Sequence, residues 1–250
     1  FASSCIGETA QLAVNTLPAG DVLLLENTRF HQGEKKNDPE FAAELAKLGD
    51  IFVSDTFSTA HRAHASVEAI ARIMPSCAGR LMEEEISKLE SALSSPRKPV
   101  MAVVGGAKVS SKLLLLENLI SPMDKIVIGG GMANTFLAAK GYNIGQSLCE
   151  HEMQDTARSI MENAKKMDCE IILPIDIVVA KEFSANTNCE TLPSDSCPAD
   201  SMILDAGPQT VKLIHKHLNH TKTVIWNGPL GAFEVPPFNK ATDAAAKYVA

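Results

Sequence analysis

No stretch of this sequence approaches the roughly 18–20 consecutive apolar residues needed to cross a bilayer as a helix. The longest uninterrupted run, Ile126 to Met132, is short and contains three glycines. Positive charge is also scarce. Against 30 Asp and Glu stand 23 Lys and Arg, a net charge of −7, which argues against non-specific nucleic-acid binding. A few local Arg, Lys and backbone N–H groups could still hold a small anion. No CxxC pair occurs among the six cysteines at 5, 77, 149, 169, 189 and 197, so the usual zinc spacing is missing. A chain of 250 residues needs no disulfide staples, and reduced cytosolic thiols are the preferred reading. Neither GxGxxG nor GxxxxGK[ST] occurs after a strand-like run. Internal repeats, low-complexity tracts, a signal peptide and a convincing catalytic triad are likewise missing. Asn219-His220-Thr221 matches a glycosylation sequon, a match that chance supplies often. The chain begins at Phe1 rather than Met and stops at Ala250 inside a helical pattern, Asn239 to Ala250. Both ends read as cut.

Apolar residues make up 45% and charged residues 21%, ordinary values for a soluble globular chain of one large or two small domains. Short β-rich runs recur at Val22–Leu25, Ile51–Val53, Val100–Val104, Ile126–Ile128, Glu170–Leu173 and Thr223–Trp226. Helical spacing of apolar residues marks Asp38–Leu48, Ser111–Ile120, Met132–Lys140, Glu152–Lys166 and Pro208–Leu218. Strands alternating with helices predict an α/β fold with a parallel sheet covered on both faces. In such folds ligands gather beyond the carboxyl ends of the strands. Leu81–Leu93 reads as an amphipathic helix, and Ser94-Ser95-Pro96-Arg97-Lys98-Pro99 breaks the chain after it. A connector between domains and an ordinary surface helix fit this pattern equally well.

Six strand-end segments invite chemistry. Gly105-Gly106-Ala107-Lys108-Val109-Ser110-Ser111-Lys112 follows a strand and opens a helix. Its glycines permit close backbone approach, and the helix start favours an anion. Lys108 and Lys112 share a helix face if the helix has begun by Lys108. A polyphosphate suits this arrangement, although a tight turn with two solvated lysines fits as well. Gly129-Gly130-Gly131 ends the next strand, where it leaves a flat surface for a base or ribose or serves close helix packing. Trp226-Asn227-Gly228-Pro229-Leu230-Gly231-Ala232-Phe233-Glu234 forms a shaped loop, and Glu234 could accept bonds from ribose hydroxyls. Leu204-Asp205-Ala206-Gly207-Pro208 reads as a loop ending in a helix start. Arg29 and Arg62 each lie just past a strand, and Arg binds carboxylate or phosphate bidentately. His61 and His64 beside Asp55 raise a metal site, but hydrogen-bonding roles in a loop are the preferred reading.

Taken together, LLENTRFH (24–31), DTFSTAHRAHAS (55–66), GGAKVSSK (105–112), IGGGMANTF (128–136) and WNGPLGAFE (226–234) resemble the phosphoglycerate kinase family in order and spacing. The resemblance runs from Phe1 to Ala250. It implies two doubly wound, Rossmann-like parallel-sheet domains joined by a helix, both incomplete over this stretch. Residues 1–80 would belong to the phosphoglycerate-binding domain, 81–98 to the interdomain helix and linker, and 99–250 to the nucleotide-binding domain. The implied reaction moves a phosphoryl group from 1,3-bisphosphoglycerate to MgADP, giving 3-phosphoglycerate and MgATP, with hinge closure around both substrates.

By the same resemblance, Arg29 and Arg62 hold the phosphoglycerate anion, and Lys108 and Lys112 are the catalytic cations. Gly106, Ala107, Gly130 and Gly131 line the adenosine pocket, with Leu204, Pro229 and Ala232 as its apolar wall. Asn227 and Lys112 contact nucleotide phosphate, and Glu234 the ribose. The family's Mg²⁺-ligating Asp would lie beyond Ala250, so no metal ligand is assigned within the chain. Its opening segment, with a catalytic arginine and an Asp-x-Asn motif, is not present either. Ser111 stands where many members carry Asp, and Thr56 where Ala is common. A cytoplasmic monomer is implied, with no nucleic-acid or membrane partner. The 250-residue chain by itself is expected to turn over poorly, as an inactive nucleotide-binding or structural fragment.

Overall fold

A computed structural model describes all 250 residues, which divide into two units, Phe1–Ser91 and Ala92–Ala250. The first unit contains α1 (Gly7–Asn15), α2 (Gln32–Lys35), α3 (Pro39–Ala46), β1 (Phe52–Ser54), α4 (Ile70–Ile73) and β2 (Ser76–Ala78). Asp38 starts α3 by accepting from the N–H groups of Glu40 and Phe41 at 2.8 and 3.1 Å, with Pro39 pre-set at the first helical position. Phe41 and Ala42 on this helix bury against Cys5, Ala65, Ala69 and Ile70. β1 and β2 pair in parallel, Phe52 opposite Ser76. Asp55, the residue after β1, accepts from the Met82 N–H at 2.9 Å and so caps α5 (Arg80–Ser94). The division between the units falls inside α5.

The strand expected at Val22–Leu25 does not form. Only Leu25 makes a bridge, to Ala2, while Val22 is 93% and Leu24 70% exposed. A run of β-formers becomes a strand only where a neighbour completes the ladder, and here a single bridge is all it gets.

The second unit is built on a four-stranded parallel sheet of order β5-β4-β3-β9, comprising β3 (Val100–Gly105), β4 (Lys125–Gly129), β5 (Glu170–Ile172) and β9 (Thr223–Asn227). Every residue of β3 is buried. Val100, Ala102 and Val104 meet one core, shared with Ile126 and Ile128, and Met101 and Val103 meet another. This period-2 alternation with both sides apolar is what a central parallel strand requires. The first core is closed by α6 (Leu113–Ile120), α7 (Gly130–Ala139) and α8 (Gln154–Lys166), the second by α9 (Pro208–Leu218) and α10 (Lys240–Val249). Ala157, Ile160 and Ala164 of α8 are its buried residues, an i, i+3, i+7 stripe.

Strand–helix alternation left one feature out. β6 (Asp176–Ala180), β7 (Cys189–Pro193) and β8 (Met202–Ala206) form a separate antiparallel sheet of order β7-β6-β8. Leu204 to Ala206, read from sequence as a loop, therefore belongs to β8, and only Gly207 precedes α9. Asp176 of β6 starts that helix, accepting from the N–H groups of Gln209 and Thr210 at 2.8 and 2.6 Å.

Candidate functional site

The carboxyl ends of β3, β4 and β9 converge backbone to backbone. Gly130 donates its N–H to the Leu230 carbonyl at 2.8 Å, and Met132 donates to that of Gly106 at 2.9 Å. Two positions show why glycine is required. A Cβ on Gly105 would lie 1.7 Å from the Pro229 carbonyl oxygen. Gly130 has φ +65°, and its Cβ would lie 2.8 Å from the Gly106 oxygen. The glycines thus pack the loops together and leave a surface without side chains.

Beside this junction lies a cavity of about 500 Å³, within the size range of small-molecule sites. Of the residues assigned by resemblance, Gly106, Ala107, Gly130 and Gly131 line it on one part, and Leu204, Pro229, Ala232 and Glu234 on another. Glu234 is exposed. The β8 segment reaches the cavity through a backbone bond from Ala232 N–H to the Leu204 carbonyl at 2.8 Å. Leu148, Phe183 and Phe233 also line it and are largely exposed. Sequence reasoning did not single out these three: Phe233 lies inside the Trp226–Glu234 loop without a role of its own, and nothing in the local pattern of Leu148 or Phe183 marks them.

Lys112 and Asn227 pair with each other next to the cavity. The Lys112 ammonium donates to the Asn227 side-chain oxygen, and also to its carbonyl at 3.3 Å. Burial lowers the Lys112 pKa below its usual value. Both partners are neutral oxygens, so no carboxylate competes for the ammonium. Lys108 is different. α6 begins only at Leu113, after a short 3-10 turn at Ser110–Lys112. Lys108 therefore precedes the helix, which removes the condition for a helix face shared with Lys112. It is exposed and forms no ion pair. The loop is anchored by Glu150, which accepts from the Ser110 N–H at 3.0 Å and its hydroxyl at 2.5 Å.

Asp205 also lines the cavity but is 3% exposed. Its oxygens accept from the N–H groups of Ala206 at 2.9 Å and Ala241 at 3.0 Å, the latter in the first turn of α10. Burial pushes its pKa up to about 7. No group of three or more His, Cys, Asp or Glu side chains converges in the chain.

In the first unit, Arg29 lies in a one-turn helix, Thr28–Phe30, whose start is held by Arg29 N–H donating to the Asn27 side chain at 3.0 Å. Arg62 lies in a turn, its N–H donating to the Thr59 carbonyl at 3.0 Å. Both arginines are exposed, and neither forms an ion pair with a carboxylate. His64 stands 3.7 Å from buried Glu34, while Asp55 caps α5. The alternative of a joint metal site for these residues therefore has no geometry behind it.

The sequence matches the family described as "Phosphoglycerate kinase" over residues 1–250. It is 59% identical over 250 residues to a protein named phosphoglycerate kinase from Cereibacter sphaeroides (strain ATCC 17025 / ATH 2.4.3), covering 100% of this chain and 63% of that protein. It is 58% identical over 250 residues to one of the same name from Ruegeria sp. (strain TM1040), with the same coverage. The chain thus spans 63% of the length of these curated relatives. Among solved structures, phosphoglycerate kinase from Pyrococcus horikoshii OT3 superposes with a TM-score of 0.85 at 30% identity, covering 100% of this chain and 65% of that one. The Coxiella burnetii enzyme gives a TM-score of 0.76 at 44% identity, covering 92% and 59%.

Proposed function

Because the chain belongs to the phosphoglycerate kinase family, we propose that it serves reversible phosphoryl transfer from 1,3-bisphosphoglycerate to ADP, giving 3-phosphoglycerate and ATP. The observation that carries this reading is the cavity of the second unit. It combines side-chain-free glycine backbone, an apolar wall, a carboxylate at Glu234 and an ammonium beside it at Lys112. Those parts suit, in turn, a base, a ribose and a phosphate.

In this reading Gly106, Ala107, Gly130 and Gly131 receive the adenosine, with Leu204, Pro229 and Ala232 packed against it. Glu234 accepts from ribose hydroxyls. Lys112 and Asn227 meet the nucleotide phosphates, and Lys108 joins Lys112 around the transferring group. Phosphoryl transfer asks the protein mainly for alignment and for cations around the moving oxygens. A lysine already held by neutral oxygens can give its charge to a phosphate without breaking an ion pair. Arg29 and Arg62, exposed and without ion pairs, bind the phosphoglycerate. We assign residues 1–80 to the phosphoglycerate domain, 81–98 to the connector and 99–250 to the nucleotide domain. Magnesium arrives with the nucleotide, and no residue of this chain is assigned to hold it. Family membership supports a cytoplasmic monomer that closes about a hinge.

Calorimetric titration tests the reading. 3-Phosphoglycerate is expected to bind saturably, and Arg62→Ala to weaken it about tenfold, the worth of one charge-assisted bond, with ADP affinity within twofold of wild type. Equal 3-phosphoglycerate affinity in both proteins would remove Arg62 from this role. Binding of neither ligand would overturn the proposed activity.

A further inference from the structure

The segments that carry Arg29 and Arg62 are distant in sequence, and two side chains without a task so far join them. Glu34 lies in α2, shortly after the turn of Arg29, and is 2% exposed. Both of its oxygens close on one residue of the other segment. Oε2 accepts from the Ser66 N–H at 3.0 Å, and Oε1 from the Ser66 hydroxyl at 2.6 Å. Asn37, just past α2, adds a second clasp. Its Oδ1 accepts from the Ala69 N–H at 3.1 Å, and its Nδ2 donates to the Glu68 carboxylate at 2.5 Å.

From the Glu34 clasp the backbone leads to each arginine through turn bonds. On one side Glu34 donates its N–H to the His31 carbonyl at 3.2 Å, and His31 donates to that of Thr28 at 3.0 Å, closing the turn that holds Arg29. On the other, the His64 carbonyl accepts from the Val67 and Glu68 N–H groups at 3.0 and 2.7 Å. His64 in turn donates to the Arg62 carbonyl at 3.0 Å. Ser66 itself sits in a π-helical turn, Ala65–Ala69, a form often found at functional sites. A buried carboxylate is a costly way to join two segments if cohesion is all that is needed, since an apolar pair does that for less. What a carboxylate with both oxygens on one residue fixes is direction and register.

Resting on the assignment of Arg29 and Arg62 to phosphoglycerate above, we infer that Glu34 is a positioning residue for that substrate: its two-oxygen clasp on Ser66 sets the spacing between the Arg29 and Arg62 turns, so that both guanidinium groups meet one bound molecule. Glu34 is buried with both oxygens occupied, so it acts through the arginines and not on the ligand. A ligand held by two arginines needs their spacing fixed, whereas a ligand held by one does not. Glu34 therefore matters only while both arginines are present.

The test is calorimetric titration of 3-phosphoglycerate into wild type, Glu34→Gln, Ser66→Ala, Arg62→Ala and each of the first two variants combined with Arg62→Ala. Glu34→Gln is expected to weaken binding about tenfold by misplacement, and Ser66→Ala about threefold by loss of one neutral bond. ADP affinity should stay within about twofold in both. In the Arg62→Ala background, either change is expected to cost less than about twofold, the non-additivity of a residue that acts through another. A merely structural residue would cost the same factor in both backgrounds. Ser66→Ala keeps its hydroxyl-free backbone bond to Glu34 and carries the test alone should Glu34→Gln fail to fold. Wild-type affinity in either folded variant, or an equal loss with and without Arg62, overturns the inference and leaves the phosphoglycerate reading standing. Failure of wild type to bind 3-phosphoglycerate overturns both.

Discussion

Gly105→Ala is expected to lower the melting temperature by about 10 °C and to abolish measurable ADP binding. The added Cβ would stand 1.7 Å from the Pro229 carbonyl oxygen. That neighbour is backbone, so no rotamer change relieves the clash, and β3 must part from the loop after β9. Such overpacking costs about 3 kcal/mol, and in a chain of this size each kcal/mol moves the melting temperature by about 2–4 °C. Gly49→Ala is the control, since nothing lies within 4 Å of its Cβ position and its φ is not positive. It should melt within about 2 °C of wild type. Thermal unfolding by circular dichroism separates the two. A Gly105→Ala protein that melts with the control would mean the strand ends are not packed as described.

Lys112→Ala is expected to weaken ADP binding about tenfold to a hundredfold while leaving adenosine within twofold. The estimate follows from one charge-assisted bond to phosphate, worth about 1.5–3 kcal/mol. The adenosine control matters because the Lys112 side chain also passes over Gly106. A loss shared equally by ADP and adenosine would show that the lysine acts by packing against the cavity rather than through its charge.

The sequence made the central sheet legible for a specific reason. Val100–Val104 is an unbroken apolar run and Thr223–Trp226 is apolar after its first residue, both bounded by turn residues, and strands covered on both sides look like that. Helices with a clear apolar stripe were equally plain. Pro208–Leu218 is α9 to the residue, and Leu81–Leu93 extends by one residue at each end in α5. The antiparallel sheet was not legible. Cys189–Pro193 has no apolar alternation, and four of its five residues are exposed. What makes it a strand is its pairing with Asp176–Ala180, a partner that local pattern does not name. Val22–Leu25 failed in the opposite sense, with strong β-formers but no ladder.

The candidate site divides in the same way. Its glycines were visible because only glycine allows backbones to touch, and Lys112 and Glu234 because a charge at a strand end invites a ligand. The condition on which Lys108 would share a helix face with Lys112 is not met, because Ser110-Ser111-Lys112 turns in 3-10 form before α6 begins. Asp205 was passed over because a buried carboxylate capping a helix 36 residues later leaves no local trace.

The central claim is that the cavity at the ends of β3, β4 and β9 receives a nucleotide, and the most direct test is a crystal structure of the protein with ADP. The account predicts the base against Gly130 and Gly131, the ribose hydroxyls on Glu234, and a phosphate oxygen about 2.7–2.9 Å from Lys112 Nζ. ADP bound outside this cavity, or no bound ADP at millimolar concentration, would contradict it.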